Sequence, residues 1–295
     1  MANSKPVLIV IFGPTASGKT DFALQLAKDF QTEILSVDSR QIYTEMSIGT
    51  AKPPASVLAE IKHHFINHCS VHNPYNAGIF EKEALHLLES LFKKHQVVIA
   101  AGGTGLYIKA LCDGLDKLPK ANENLRLKLQ EDLDEYGIDY LFKKLQNLDL
   151  EGSKSIDSKN PHRIIRAIEL IEETGQSITH LKTSPKMDRP FKIIKIRMDI
   201  ERATLYQNIN TRVDQMINAG WIEEARHLYP YKNLKALQTV GYKELFDYFD
   251  GIYTLPEAID KIKQHTRNYA KRQLTWFKSE RDCIPHHAFT RQMIM

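Results

Sequence analysis

A glycine-containing loop directly behind an apolar run places the strongest limit on how this chain folds. The apolar run is Pro6–Phe12, and the loop Gly13–Thr20 reads Gly-Pro-Thr-Ala-Ser-Gly-Lys-Thr, which fits G-x-x-x-x-G-K-[ST]. Its glycines let the backbone curl until several N–H groups point into one concavity at the start of the next helix. Because strand, loop and helix are all present, we prefer this interpretation to a chance match in a Gly-containing turn.

The loop predicts a site for a di- or triphosphate. The predicted phosphate-binding residues are Gly13, Pro14, Thr15, Ala16, Ser17, Gly18, Lys19 and Thr20. The Lys19 ammonium can reach the outer phosphates, and the Thr20 hydroxyl can take one position on Mg²⁺, an ion that usually keeps several waters. The loop alone does not tell whether the ligand is ATP.

Composition is that of an ordinary globular protein. With 295 residues, 26% charged and 42% hydrophobic, the chain can hold one large domain or two smaller ones. No apolar run approaches the roughly 18–20 residues of a membrane span, and the first apolar run is the predicted strand itself. The three cysteines, Cys69, Cys112 and Cys283, are far apart and fit a reducing compartment. We therefore expect a cytoplasmic protein without membrane contact.

Strand and helix patterns alternate in the first part of the chain. We predict strands at Val7–Phe12, Glu33–Val37 and Val97–Ala101, and helices at Asp21–Phe30 and Ile79–His95. Such alternation predicts a parallel sheet covered by helices, with ligands at the carboxyl ends of the strands. The phosphate loop, Asp38 and Gly102–Gly105 all follow such ends.

From about Pro119 the sequence pattern becomes predominantly that of helices. We predict helices at Asn122–Tyr136, Ile138–Leu148 and Asn160–Thr174, a last strand at Lys192–Arg197, and only helices beyond it, at Arg202–Ala219, Ile222–Leu228, Tyr242–Phe249 and Pro256–Glu280. The predicted class is therefore α/β, with a P-loop NTPase-like parallel sheet core, a helical insertion domain and a helical C-terminal region. The core would comprise residues 1–118 and 191–295, and the insertion residues 119–190.

The last long helix carries most of the clustered positive charge. Seven Lys or Arg residues stand between Lys261 and Arg281 against one acidic residue, Glu280, in a chain whose net charge is +4. Apolar positions run through it at roughly helical spacing, which predicts one face on the core and a basic face outward. That basic face is either simply solvated or the footprint of a nucleic acid.

Two further segments can carry chemistry. The Asp38 carboxylate can accept a hydrogen bond from an amine or hydroxyl nucleophile, or can cap a turn with Ser39. Gly102–Gly105 permits close backbone approach, either for a ligand or for a tight turn. The third strand ends without the carboxylate that we would expect to bind Mg²⁺ in a nucleotide kinase. The histidines at 63, 64, 68 and 72 lack the spacing of a zinc site and favour a structural role.

These segments together resemble the tRNA dimethylallyltransferases, also called the IPP transferase family. The resemblance runs from about Val7 to Asp282. Its motifs are Gly13–Thr20, Asp38–Tyr43, Ile48–Pro53, His63–Phe65, Gly102–Tyr107, Asn160–Arg163 with Arg166, Gly241–Tyr242 and Lys271–Trp276. Asn67 stands where the family often has an acid.

The resemblance implies transfer of a dimethylallyl group from its diphosphate to an adenosine N6 amine in tRNA. The adenosine would be the one 3′-adjacent to the anticodon, in tRNAs that read codons beginning with U. Implied catalytic residues are Asp38 as the base, Thr15 near the breaking C–O bond, and Lys19 with Arg212 as cations. Mg²⁺ on Thr20 is the implied cofactor. The implied partners are the tRNA anticodon stem-loop and dimethylallyl diphosphate, with no obligate protein partner and a monomeric enzyme.

The resemblance also implies a set of tRNA-binding residues. They are Asp38, Ser39, Arg40, Gln41, Thr104, Arg126, His162, Arg163, Ile164, Ile165, Arg166, Lys271 and Arg272. The target base must leave its stack to be recognised by pocket shape and polar contacts. Two alternatives stay open: a small-molecule kinase that uses ATP through the same loop, and a non-catalytic RNA-binding protein.

Overall fold

The computed structural model describes residues 5–120, 122–183 and 186–294. The outer limits predicted for the core, residues 1 and 295, lie outside this part of the chain. The strands are β1 (Val7–Phe12), β2 (Ile34–Val37), β3 (His63–His64), β4 (Val97–Gly102), β5 (Lys192–Arg197) and β6 (Ile284–Pro285). The helices are α1 (Lys19–Phe30), α2 (Ala55–Glu60), α3 (Ala77–Leu91), α4 (Gly105–Cys112), α5 (Glu123–Leu148), α6 (Leu150–Ser153), α7 (Pro161–Thr174), α8 (Ile178–Leu181), α9 (Arg202–Asn218), α10 (Trp221–Leu228), α11 (Tyr242–Phe249) and α12 (Leu255–Phe277).

All six strands form one parallel sheet in the order β3-β2-β4-β1-β5-β6. The predicted α/β class with a parallel sheet is confirmed. Every residue of β1 is buried, as expected for a central strand covered by helices on both faces. The expectation of only helices after Lys192–Arg197 is wrong, because Ile284–Pro285 pairs with β5. Two residues are too few to show a strand period.

The chain divides into two compact units, residues 1–112 with 188–295, and residues 113–187. We call the first the α/β unit and the second the helical unit. In the α/β unit, α1 buries Ala23, Leu26 and Ala27 in a cluster with residues of β1, β4 and β5. No helix among the described residues is both long and apolar enough to cross a membrane.

The helical unit has its own apolar core. Leu129, Leu141 and Leu145 of α5 pack with Ile164 and Ile168 of α7, and all five side chains are completely buried. The predicted break between two helices coincides with Gly137, whose φ of 80° and ψ of 176° interrupt α5. Such a left-handed φ suits glycine, so the sequence marks the kink by itself.

Candidate active site

The register of the sheet brings three loops to one edge. Phe12 at the end of β1 pairs with Gly102 of β4, and Gly102 pairs with Val37 at the end of β2. The phosphate loop, Gly103 and Asp38 follow these three residues directly. Because β4 lies between β1 and β2, the loop and Asp38 lie at the same edge of the sheet, separated by one strand.

The phosphate loop has the backbone of an anion nest. Ala16 and Gly18 both have positive φ, 62° and 83°, and α1 begins at Lys19. A non-glycine residue in this conformation stores strain of a kind found at ligand sites. The Ser17 hydroxyl is buried and has no hydrogen-bond partner among the described residues. An unpaired donor in a nest of amides fits a bound phosphate oxygen.

A cavity of about 270 Å³ opens beside this loop, within the α/β unit. Its polar lining includes Thr15, Lys19, Thr20, Asp38, Ser39, Arg40, Gln41, Arg212, Thr266, Tyr269 and Gln273. Its apolar lining includes Ala51, Ile209, Val213, Met216 and Trp221. One cavity therefore offers cations, a carboxylate and an apolar wall together.

Lys19 and Arg212 face this cavity without carboxylate partners. Lys19 Nζ donates to Pro14 O at 2.5 Å, and in the described part of the chain neither Lys19 nor Arg212 forms an ion pair. The pKa of Lys19 is lowered to about 7, chiefly by burial and also by the charge of Arg212, whereas Asp38 acts in the opposite direction. Burial also lowers the pKa of Arg212, against the attraction of Asp21. An anionic ligand in the cavity would neutralise these two positive charges.

The Asp38 carboxylate caps a turn and also lines the cavity. Its Oδ1 accepts hydrogen bonds from the backbone N–H groups of Arg40 at 2.8 Å and Gln41 at 3.2 Å. Among the described residues no donor contacts Oδ2. The turn cap is therefore observed, and the role as acceptor for a nucleophile stays a prediction that is compatible with it, because the turn uses only one oxygen.

The residues after Asp38 mostly build the loop that carries it. The Ser39 N–H donates to Thr104 Oγ1 at 3.0 Å, and the Arg40 guanidinium donates to Ala236 O at 3.1 Å. Gln41 Oε1 accepts from Ser36 Oγ at 3.0 Å, and its amide nitrogen donates to the carbonyls of residues 50 and 51. Four of the predicted tRNA-binding residues, Ser39, Arg40, Gln41 and Thr104, thus make contacts that position this loop.

The motif Ile48–Pro53 is held by a carboxylate that sequence reasoning did not single out. Glu224 of α10 accepts from the backbone N–H groups of Ser47, Ile48 and Gly49 at 2.8–2.9 Å and from Tyr242 Oη at 2.5 Å. A Cβ on Gly49 would lie 2.1 Å from Trp221 Nε1. The close approach of that indole explains the glycine.

The glycines at 102–105 serve packing more than ligand access. A Cβ on Gly102 would lie 2.0 Å from Val37 O, and one on Gly105 would lie 2.4 Å from Trp276 Nε1. The expected close approach is therefore made by strand β2 and helix α12. The backbone of Gly102 and Gly103 nevertheless lines the cavity.

Helix α12 contributes a buried amide to the site, Gln273. Its Oε1 accepts from the Thr15 N–H at 2.9 Å, and its Nε2 donates to Gly103 O at 2.8 Å. Sequence reasoning selected the neighbouring Lys271 and Arg272, which the structure leaves exposed. The helical spacing of Thr266, Tyr269 and Gln273 could have identified Gln273 in the sequence, because it puts three polar residues in one row on an otherwise apolar helix face.

The helical unit brings two of the predicted arginines together. Glu169 Oε2 accepts from Arg126 at 2.7 Å and from Arg166 at 3.2 Å, and Arg166 also donates to Pro119 O at 2.6 Å. The Glu169 side chain is 0% exposed, whereas those of Arg126 and Arg166 are 33% and 30% exposed. Sequence reasoning missed this carboxylate, because a Glu inside an apolar helix face shows no partner in the sequence.

Four further predicted residues stand at the start of α7. His162 and Arg163 are exposed, whereas Ile164 and Ile165 are 0% and 4% exposed and belong to the core of the helical unit. Consecutive helical residues point in directions about 100° apart, so four neighbours cannot all face one ligand. We therefore correct the predicted tRNA-binding set by removing the two isoleucine side chains.

The histidines at 63–72 have protein partners. His63 Nδ1 lies 2.7 Å from Ile61 O, His64 Nε2 lies 2.6 Å from Glu33, and His68 Nε2 lies 2.9 Å from Glu83. Among the described residues no group of three or more His, Cys, Asp or Glu side chains is arranged to hold a metal. The unusual Asn67, at φ 54°, accepts from Lys52 Nζ at 2.6 Å.

Comparison with known proteins identifies the family of this chain. Residues 41–280 match the profile described as IPP transferase. The chain is 52% identical over 273 residues to a tRNA dimethylallyltransferase of Christiangramia forsetii, covering 92% of this chain and 90% of that one. The chain belongs to the IPP transferase family. A relative from Cytophaga hutchinsonii with the same name is 47% identical, with the same coverage.

Solved structures of IPP transferases share the fold. The full-length tRNA isopentenylpyrophosphate transferase of Bacillus halodurans is 35% identical, with a TM-score of 0.69, covering 99% of this chain and 94% of that chain. A eukaryotic dimethylallyltransferase solved acting on tRNA is 24% identical, with a TM-score of 0.76, covering 95% of this chain and 73% of that chain. At that identity the likeness concerns the fold alone.

Proposed function

We propose that this member of the IPP transferase family transfers a dimethylallyl group from dimethylallyl diphosphate to the N6 amine of a tRNA adenosine. The adenosine is the one 3′-adjacent to the anticodon, in tRNAs that read codons beginning with U. The observation that carries the proposal is one cavity lined by an anion nest, two cations without ion pairs, and a carboxylate with one oxygen unused. The names of relatives at 47–52% identity support the same reaction.

The carboxylate side of the cavity receives the amine. As the bond from N6 to the dimethylallyl C1 forms, the C1–O bond to the diphosphate breaks, and the diphosphate leaves with its electron pair. The amine proton passes to Asp38 Oδ2, while Oδ1 stays bonded to two backbone amides and holds the carboxylate in place. A water then carries the proton away.

The loop side of the cavity holds the leaving group. The nest amides, Lys19 and Arg212 stabilise the charge that develops on the diphosphate, and the Thr15 side chain lies near the breaking bond. The buried, unpaired Ser17 hydroxyl supplies one more donor. The apolar lining formed by Ile209, Val213 and Met216 suits the dimethylallyl methyl groups.

Mg²⁺ fits the donors that this loop presents. Only the Thr20 hydroxyl and substrate oxygens would hold it, and Mg²⁺ commonly binds through few protein ligands, substrate phosphates and water. When bound, the ion supplies charge neutralisation of the diphosphate.

The RNA is bound through charged and polar side chains of both units. In the α/β unit these are Asp38, Ser39, Arg40, Gln41 and Thr104 around the flipped base, with the exposed Lys271 and Arg272 on the phosphate backbone. In the helical unit they are Arg126, His162, Arg163 and Arg166. Because the proposed substrate is a tRNA, we expect the enzyme to act in the cytoplasm, as a monomer without an obligate protein partner.

Incubation with two labelled donors tests this function against its rivals. Unmodified tRNA is supplied with dimethylallyl diphosphate labelled in the prenyl group, or with ATP labelled in the γ-phosphate. We expect prenyl label in the tRNA and no phosphoryl transfer. Phosphoryl transfer to a small molecule would support the kinase alternative, and tRNA binding without either transfer would support the non-catalytic one.

A further inference from the structure

Helix α12 presents one polar stripe to the cavity. Thr266, Tyr269 and Gln273 follow one another at helical spacing and all line it, whereas Ile262, Ala270 and Phe277 are buried. Of the three polar residues, Gln273 is the most deeply placed, at 6% exposure. A buried amide needs partners, and those that Gln273 uses belong to two different loops of the site.

The first partner is the phosphate loop. The Thr15 N–H donates to Gln273 Oε1 at 2.9 Å, so this backbone amide is directed away from the anion nest. The orientation of the Thr15 peptide, and with it the side chain proposed to lie near the breaking bond, is therefore set by a residue 258 positions further along the chain.

The second partner of Gln273 is Gly103, which connects it to the loop that carries Asp38. Gln273 Nε2 donates to Gly103 O at 2.8 Å, and a Cβ on Gly103 would lie 2.4 Å from that nitrogen. The next residue, Thr104, accepts from the Ser39 N–H at 3.0 Å, directly beside Asp38. One side chain thus links the loop of the leaving group to the loop of the base.

We propose that Gln273 is a positioning residue that sets the distance between the diphosphate and the amine acceptor. This inference rests on the proposed function. Transfer requires reacting atoms about 3–3.5 Å apart, and a misplacement of about 1 Å can cost roughly 10²-fold in rate. The two hydrogen bonds of Gln273 hold both loops at once, so their loss affects the reaction more than the binding of either substrate alone.

Two variants of Gln273 test this role. Gln273→Met keeps the length of the side chain and removes both hydrogen bonds, whereas Gln273→Glu keeps the acceptor for the Thr15 N–H and loses the donor to Gly103 O. The matched control is Gln264→Met, at an exposed position of the same helix. The measurements are the single-turnover transfer rate at saturating substrates, the two Kd values for dimethylallyl diphosphate and tRNA, and the melting temperature.

We expect both Gln273 variants to lower the single-turnover rate by about 10- to 100-fold. Both Kd values should stay within about threefold of wild type, and Gln264→Met should match wild type throughout. A rate within twofold of wild type in both variants would overturn the proposal. A loss of dimethylallyl diphosphate affinity in proportion to the rate would overturn it too, since Gln273 would then support only the phosphate loop.

In this experiment the melting temperature distinguishes a loss of folding from a loss of function. If Gln273→Met does not fold, Gln273→Glu decides, and a failure of both to fold would assign Gln273 a purely structural role and overturn the proposal. Failure of the proposed function is visible elsewhere: the unmodified enzyme would not transfer the dimethylallyl group at all.

Discussion

Two pairs of cations, one in the α/β unit and one in the helical unit, are held in opposite ways. In the α/β unit, Lys19 and Arg212 line a cavity, and within the described residues neither forms an ion pair. In the helical unit, Arg126 and Arg166 share one carboxylate oxygen of the fully buried Glu169. The first arrangement leaves charge to be neutralised by a small anion, whereas the second fixes two guanidinium groups before any ligand arrives.

The difference follows from what each unit is proposed to bind. A diphosphate is small and highly charged, so cations kept without partners bind it strongly and stabilise its departure. An RNA surface is larger, and arginines that are already oriented lose less side-chain entropy on binding it. Substitutions that alter charge in one unit at a time can therefore break or refine the comparison.

The largest effect is expected for Asp38→Asn. The amide keeps an acceptor for the N–H groups of Arg40 and Gln41, so the turn should survive while the negative charge is lost. Loss of a general base typically lowers the rate about 10²- to 10⁴-fold. Single-turnover prenyl transfer measures this, and diphosphate affinity should survive.

The matched control is Asp157→Asn. The Asp157 carboxylate likewise accepts from a backbone N–H two residues on, that of Lys159 at 3.0 Å, but does not line the cavity. An Asp38→Asn enzyme with a wild-type chemical step would reduce Asp38 to a turn cap. A variant unable to bind the diphosphate would place Asp38 with the metal or phosphate instead.

Lys19→Ala should rank second. Removing one group that stabilises transition-state charge usually costs about 10²- to 10³-fold. We expect that loss in prenyl transfer, with tRNA affinity nearly unchanged, from parallel transfer and RNA-binding assays. Lys28→Ala is the control, because Lys28 lies on the same helix with a half-exposed side chain paired to Glu60. Transfer near the wild-type rate would show that the loop is not the diphosphate site.

The third effect in size is expected in the pH dependence of the affinity for the diphosphate. In the free protein the pKa of Lys19 is about 7, chiefly because of burial, whereas the bound diphosphate favours its charged form. Above pH 7 binding must therefore take up a proton, and affinity should fall by up to about tenfold per pH unit. Calorimetry in buffers of different ionisation enthalpy measures the uptake.

Lys19→Arg sharpens this experiment. A guanidinium stays charged throughout the range from pH 7 to 9, so the lysine-linked proton uptake should disappear. If the wild-type protein binds diphosphate at pH 8 without proton uptake, Lys19 is already charged in the free site, and the contrast with the paired arginines of the helical unit is weaker than proposed.

The smallest effect on transfer is expected for Glu169→Gln. The substitution replaces two charge-assisted hydrogen bonds and should lower the free energy of unfolding by about 2 kcal/mol. Transfer at saturating tRNA should stay within about threefold, while tRNA affinity falls severalfold because Arg126 and Arg166 lose their fixed orientation. Denaturant unfolding and RNA titration measure the two effects.

Glu172→Gln provides the comparison for Glu169→Gln. It makes the same change of net charge at an exposed position of α7. An equal change of tRNA affinity in both variants would mean that overall charge, and not the orientation of the arginines, governs binding by the helical unit.

Features that depend on neighbouring residues could be predicted before any contact between distant segments was known. The phosphate loop needs its own glycines, the strand before it and the helix after it, and all three lie within Pro6–Phe30. The break in α5 needs only Gly137. The α/β class needs only the alternation of strand and helix patterns, because their periods belong to single segments.

Packing between distant segments decided the rest. The order β2-β4-β1 places Asp38 one strand away from the phosphate loop, and no local pattern specifies which parallel strands become neighbours. Gln273 joins residues 258 and 170 positions away, and Glu169 Oε2 accepts a hydrogen bond from an arginine 43 positions away. A buried polar side chain is stable only where its partners meet it, so its role becomes visible only when the folded chain brings those partners together.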